Sequence, residues 1–339
     1  MNPSKFVTLD YGEGGLKTQE FIYQEILKRF NNPILAQLDD GSVIDVNCKK
    51  LVITTDSFIV DPPIFTGGNI GKLAVTGSVN DLVACGAKPI YLTLSLIIPE
   101  GFSLLNLEII LDSLLEAATL SNTIIVCGDT KVIPQKDSSV LCINTTGIGE
   151  PVNEKNYSTH NAKPGDKIIV TGEVGNHSLA ILSLREGLGY ENKIFSDCCS
   201  LDDLILPMLN KFNKINCLRD PTRGGLLGVL FDIVENSKIN AIIYFDKIPI
   251  QYEVAFCCEM LGLDPLSLVN EGKMVIVVDK EQAEDVITEL RKNKKGEKAA
   301  IIGEIQNTVI NNFPHLILQK EKKKLLINRP IGRTIPRLC

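Results

Sequence analysis

Two hydrophobic periods alternate along the first 150 residues, and this alternation narrows the fold more than any other feature of the chain. Leu92, Leu94, Leu96 and Ile98 recur at every second position and share one face of a strand over 91–98. Leu107, Ile110, Leu111, Leu114 and Ala118 recur at the three-and-four spacing of a helix over 106–120. A strand over 51–60 and a helix over 69–86, closed by Gly86, precede them. Strands over 123–127 and 139–148 follow, with Gly128-Asp129-Thr130-Lys131 read as a turn between them. Strand and helix in turn is the pattern of an α/β chain. The polar segment 150–166 is the expected domain boundary, and a second α/β half follows it. There, helices are expected near 176–187, 200–212, 224–236, 251–261 and 280–292, with strands near 167–172, 241–246, 274–278 and 300–305. A length of 339 residues suits two such domains.

Several function classes fall away early. The longest apolar runs, such as 94–98 and 123–127, fall far short of the ~18 residues of a membrane span. The formal net charge is −6, so no overall basic surplus points to nucleic acid or to an anionic membrane. The first residues lack the pattern of a signal peptide, which makes the cytoplasm the expected compartment. Ten cysteines form no C-x-x-C pair and only three histidines accompany them, an arrangement that argues for reduced thiols rather than a zinc site. The end of the chain differs from the rest. Residues 319–339 carry Lys320, Lys322, Lys323, Lys324, Arg329, Arg333 and Arg337 against Glu321 alone, and read as a basic tail on an acidic body.

The chemistry-bearing residues gather at turns and strand ends. Asp39-Asp40-Gly41, Asp56, Asp81, Asp129 and Asp220 are spread across the chain, with Asp56 set in a strand of Ile, Val and Thr. A carboxylate in such a strand costs several kcal/mol (~2–7) unless it is paired or metal-bound. Together these groups read as an oxygen cage for Mg²⁺, the usual companion of nucleotide phosphates. Capping and turn chemistry is the competing explanation for each taken singly. Gly67-Gly68-Asn69-Ile70-Gly71-Lys72 leads into a helix and offers backbone amides and a lysine to a phosphate, without the spacing of a Walker motif. Asn270-Glu271-Gly272-Lys273 precedes an apolar strand, where a glutamate can act as a base; a surface turn is the competing reading, and the one that sequence alone favours.

TTDSFIVDPPIFTGGNIGKLAVTGSVNDLVACGAKP, GDTKV, RDPTRGG, NEGK and the ending PRLC together resemble the HypE proteins of nickel–iron hydrogenase maturation. The resemblance implies a two-domain α/β fold of the aminoimidazole-ribonucleotide synthetase type. It divides the chain into an arm and glycine loop at 1–40, an ATP-binding domain at 41–150, a second α/β domain at 160–318 and a flexible tail at 319–339. The first domain is expected to dimerise as a β-barrel. ATP and Mg²⁺ are the implied cofactors, with Asp40, Asp56, Asp81, Asp129 and Asp220 at the metal. Gly67, Gly68, Asn69, Lys72, Asn80, Thr130 and Arg223 are the implied nucleotide contacts. Cys339 is the implied carrier thiol, and Lys131 and Glu271 handle the group it carries. The implied activity is ATP-dependent dehydration of an S-carbamoyl group on Cys339 to a thiocyanate. A HypF-like carbamoyltransferase loads the group and a HypC–HypD-like iron scaffold receives the cyano group, with no role for nucleic acid or membrane. Two departures stand out: Tyr11-Gly12-Glu13-Gly14-Gly15 where the family has H-G-[SA]-G-G, and Gly175-Asn176-His177 where it has G-D-H. A small-molecule synthetase or kinase of the same fold, and a non-catalytic maturation adaptor, are the alternative readings.

Overall fold

The structure is a computed structural model and describes residues 6–12, 16–37, 44, 49–136, 139–307 and 314–329. Asp39, Asp40, Glu13, Cys48 and Cys339 lie outside the described residues.

In the first domain β1 (Val52–Ile59), α1 (Ile70–Ala84), β2 (Ala87–Pro99), α2 (Leu104–Leu120), β3 (Ile124–Ile133) and β4 (Cys142–Pro151) follow the expected alternation. Its sheet runs β1-β4-β2-β3, antiparallel except for the β2–β3 pair. Leu92, Leu94, Leu96 and Ile98 all point to one buried face, as their spacing demands, and α1 and α2 cover it. The opposite face carries Ile53, Thr55, Ser57, Thr93, Ser95, Ile97 and Asn144, and among the described residues no α-helix covers it. α1 is buried all round except at Lys72 and Asp81. It can sit so close to its neighbours because Gly71 lies on the Ile110 carbonyl, where a Cβ would overlap.

Two expectations for this half change. Gly128-Asp129-Thr130-Lys131 is not a turn: it continues β3, in register with Leu94, Ser95, Leu96 and Ile97. Parallel pairing with β2 overrides the local turn signal of Gly-Asp. The N-terminal arm contains an unforeseen helical stretch through Leu16–Phe21, Ile22–Leu27 and Lys28–Phe30. It buries Phe21 and Phe30 in the core, and Arg29 ties it to Asp112 of α2 at 2.5 Å.

The second domain contains β5 (Lys167–Val170), α3 (Asn176–Glu186), α4 (Asp202–Lys211), β6 (Ile215–Arg219), α5 (Gly225–Ser237), β7 (Asn240–Tyr244), α6 (Tyr252–Leu261), β8 (Val275–Val278), α7 (Ala283–Leu290), β9 (Ala300–Gln306), β10 (Leu316–Lys320) and β11 (Lys323–Ile327). They form a seven-stranded sheet in the order β11-β10-β7-β9-β5-β8-β6. β8 is wholly buried because both faces are covered. Ile276 and Val278 join a core shared with Leu73 and Val79 of α1 and with Leu204 and Met208 of α4, while Val275 and Val277 meet Leu226, Leu230 and Ile233 on the other face. One hydrophobic cluster therefore spans both domains and fixes the faces between them.

The expected tail begins later than its lysines suggest. Residues 316–327 form a hairpin that adds β10 parallel to β7 and leaves β11 at the sheet edge. Lys323 and Lys324 lie on the outer strand, a common device against edge-to-edge pairing.

Candidate functional site

Four segments from the two domains converge between β1 and α1 on one side and the ends of β6 and β8 on the other. β1 brings Thr54 and Asp56 onto the face that meets α1, and Thr54 donates to Asp81 at 2.6 Å. The turn after β6 brings Asp220, Pro221, Thr222 and Arg223. It ends in Gly224 and Gly225 at φ +81° and +61°, a left-handed pair that opens α5. Arg223 reaches across the domain boundary to within 4.0 Å of Asp56 with its side chain 94% exposed. The turn before β8 brings Asn270, Glu271, Gly272 and Lys273.

Asn270 is the keystone of the second-domain half. Its side chain accepts from the Gly175 amide at 2.7 Å and donates to the carbonyls of Pro221 at 3.1 Å and Leu268 at 3.0 Å. One buried amide thus joins the turn before β8, the turn after β6 and the start of α3. Asn80 does the same across the domains. It donates to the carbonyls of Cys199 at 3.0 Å and Glu271 at 3.3 Å and accepts from the Leu201 amide at 2.8 Å. Asn80, expected at the nucleotide, therefore works as an interdomain clasp with its polar atoms occupied.

The electrostatics follow from like charges held close in partly dry surroundings. Burial and the neighbouring Asp81 charge push Asp56 up to about 6, with Arg223 opposing. Burial, then Asp81, push Asp220 up to about 7. Glu271, buried, is raised well above the usual glutamate range by its burial and by the charges of Asp197, Asp220, Asp56 and Asp81. Once ionised, a carboxylate of raised proton affinity is a stronger base than an ordinary glutamate, which suits it to take a proton from a weakly acidic N–H.

Asp56, Asp81 and Asp220 therefore come together, with Glu271 beside them. Among the described residues no group of three or more His, Cys, Asp or Glu side chains is arranged as a ready metal cage. The donor set nevertheless fits Mg²⁺: hard carboxylate oxygens with surplus negative charge, short of a full shell, as suits an ion that keeps waters and phosphate ligands.

The other expected residues are placed differently. Asp129 and Lys131 stand opposite Ser95 and Ile97, on the uncovered face of the first sheet, away from the α1 face that carries Asp56. Thr130 is in register with the buried Leu96. One chain alone does not bring Lys131 and Glu271 to the same side of the sheet. Asn69 caps α1, accepting from the amides of Gly71 at 2.9 Å and Lys72 at 3.1 Å and donating to Ser113 at 2.7 Å. The Gly71 and Lys72 amides are thus already satisfied, and this end of the expected phosphate loop is a capped helix start. Gly67 packs on Ser196, Gly68 lies against Phe65, and Lys72 donates to the Gly67 carbonyl at 3.2 Å.

Sequence reasoning missed Asp197, and named His177 only within the departure Gly175-Asn176-His177. His177 is fully buried, bonded through Nδ1 to Ser196 at 2.8 Å, and burial lowers it to about 4. The legible signal was a polar residue in an apolar helix, which must find partners.

Comparison with known proteins places this site in a family. Residues 38–150 match the AIR synthase related protein N-terminal domain, and residues 163–311 match the C-terminal domain. A putative hydrogenase expression/formation protein of Methanocaldococcus jannaschii is 43% identical, over 98% of this chain and 99% of its own. The carbamoyl dehydratase HypE of Bradyrhizobium diazoefficiens is 41% identical, over 88% of this chain and 86% of its own. A crystal structure of the hydrogenase maturation protein HypE in complex with ATP matches with a TM-score of 0.93 and 37% identity, covering 98% of this chain and 99% of that one. A chain from the crystal structure of a HypE–HypF complex matches with a TM-score of 0.79 and 38% identity, covering 91% of this chain and 99% of that one. With its two matched domains and relatives alike over nearly its full length, the chain belongs to the HypE family of AIR synthase related proteins.

Proposed function

We propose that this chain dehydrates an S-carbamoyl group on its own Cys339 to a thiocyanate, using ATP, and so supplies the cyanide ligand of a nickel–iron hydrogenase. The observation that carries the reading is Glu271: a buried carboxyl of raised proton affinity, held by both domains beside three aspartates. ATP supplies the phosphoryl group that makes the carboxamide oxygen a good leaving group. Asp56, Asp81 and Asp220 are the residues that would hold Mg²⁺ against its phosphates, and Arg223 adds a cation at the rim. The carboxamide nitrogen gives up both its protons: one goes to solvent as the oxygen is phosphorylated, and Glu271 accepts the other as the C≡N bond forms and the C–O bond to phosphate breaks. A carrier thiol at the chain end lets one group visit a loading enzyme, this site and an iron acceptor without release.

The protein acts in the cytoplasm as a homodimer, loaded by a HypF-like carbamoyltransferase and unloaded by a HypC–HypD-like complex. The sheet of the first domain supports the dimer. β1 and β3 are its outer strands, and Ile53, Ile97 and Ile124 stand exposed on it. Pairing each β1 with β3 of a second copy closes the sheets into a barrel. It also sets the strand of the partner's Asp129, the partner's Thr130 and the partner's Lys131 beside the strand of Asp56.

ATP turnover tests the reading. It should rise when Cys339 is carbamoylated and stay at the basal level in Cys339→Ala. Equal turnover with and without the carbamoyl group would favour a small-molecule kinase instead.

A further inference from the structure

We propose that Asp197 is the positioning residue of Glu271, gripping the backbone of the turn that presents it; this rests on the reading of Glu271 as the proton acceptor. Asp197 lies in the segment between α3 and α4, and its side chain is 6% exposed. One oxygen accepts from the Glu271 amide at 3.1 Å and the other from the Gly272 amide at 3.2 Å. The second oxygen also lies 3.3 Å from Nζ of Lys273, itself 13% exposed. One carboxylate therefore holds three consecutive residues. Its backbone is pressed on them as well: a Cβ on Gly272 would overlap the Asp197 carbonyl, so only glycine admits this approach.

The grip is completed from the other domain, where Asn80 donates to the Glu271 carbonyl at 3.3 Å. With its amide held by Asp197 and its carbonyl by Asn80, Glu271 keeps freedom only in its side-chain torsions. Such pre-organisation matters for a proton acceptor, because a shift of ~1 Å can slow a reaction about a hundredfold. Lys273 has a matching duty. Its ammonium pairs with the Asp197 carboxylate at 3.3 Å, and it donates to the Gly272 carbonyl at 3.0 Å.

The test uses the full-length protein with Asp197→Asn, and with Asp197→Asn/Lys273→Met, which leaves no unpaired buried cation if the single variant folds poorly. Two measurements are made on each. Hydrogen–deuterium exchange reads the amides of Glu271 and Gly272, which should lose protection while the amides of β8 keep theirs. Single-turnover conversion of carbamoylated Cys339 should slow roughly 10- to 100-fold with ATP affinity unchanged, the split expected of a group that orients but does not bind. Unchanged protection at Glu271 and Gly272, or an unchanged rate in a folded variant, overturns the proposal. If the wild-type protein makes no nitrile, the reading of Glu271 fails, and the exchange measurement still decides whether Asp197 holds the turn.

Discussion

Glu271 and the aspartates around it are a destabilising assembly in the free protein, and that fact yields two predictions at the residue scale. The carboxyls of Asp56 and Asp220 sit near 6 and 7 rather than at 3.8. The folded state thus binds protons more tightly than the unfolded chain. Stability contributed at low pH is lost as pH rises from 3.8 through about 7. Asp220→Asn should accordingly stabilise the free protein at pH values above that window, by on the order of 1 kcal/mol after solvent screening, while weakening Mg²⁺–ATP binding. Denaturant titration and calorimetry read the two effects, and a variant that loses stability without losing affinity contradicts the assignment. Metal binding also demands the ionised carboxylates. Affinity for Mg²⁺–ATP should fall as pH drops below about 7, and binding should release protons, seen as a heat that depends on the ionisation enthalpy of the buffer. The second prediction is Glu271→Gln. It keeps shape but cannot take a proton, so it should bind ATP and accept the carbamoyl group yet slow nitrile formation by roughly 10²–10⁴-fold.

Among the elements, α1 shows how much the sequence discloses and where it stops. Its span, its Gly86 terminus and its apolar character were all legible, because periodicity and C-capping are local properties. The job of Asn69 was not, since a glycine-rich entry to a helix suits a phosphate and a cap equally well, and only the Asn69 bonds to Gly71 and Lys72 decide. Asn69→Ala should cost ~1 kcal/mol of stability, as lost caps do, and leave ATP affinity unchanged. A selective loss of ATP affinity would return Asn69 to the nucleotide. Non-local pairing explains the other differences. Ile215–Arg219 is short and mixed, and becomes a strand through β8. The hairpin at 316–327 hides behind its lysines, and Gly128–Lys131 is straightened by β2. Asp56, Asp81, Asp220 and Glu271 could be nominated from sequence by their odd settings, whereas Asn80, Asn270 and Asp197 matter only through partners remote in the chain.

For the whole molecule, the two domains share one core, and the site lies where they meet, so its geometry depends on their fixed relation. The first sheet has outer strands without a partner among the described residues, with Ile53 64% exposed on one of them. Ile53→Lys should therefore shift the protein from dimer to monomer in sedimentation and abolish dehydration while each chain stays folded. A fully active monomer would separate Lys131 from the reaction. The most direct measurement follows the carried group itself. The full-length protein is loaded at Cys339 with a ¹³C-labelled carbamoyl group, mixed with Mg²⁺ and ATP, and read by infrared absorption together with intact mass. A nitrile band that shifts with the isotope and a mass lower by one water are expected, both absent in Cys339→Ala. Consumption of ATP with the carbamoyl group unchanged on Cys339 would contradict it.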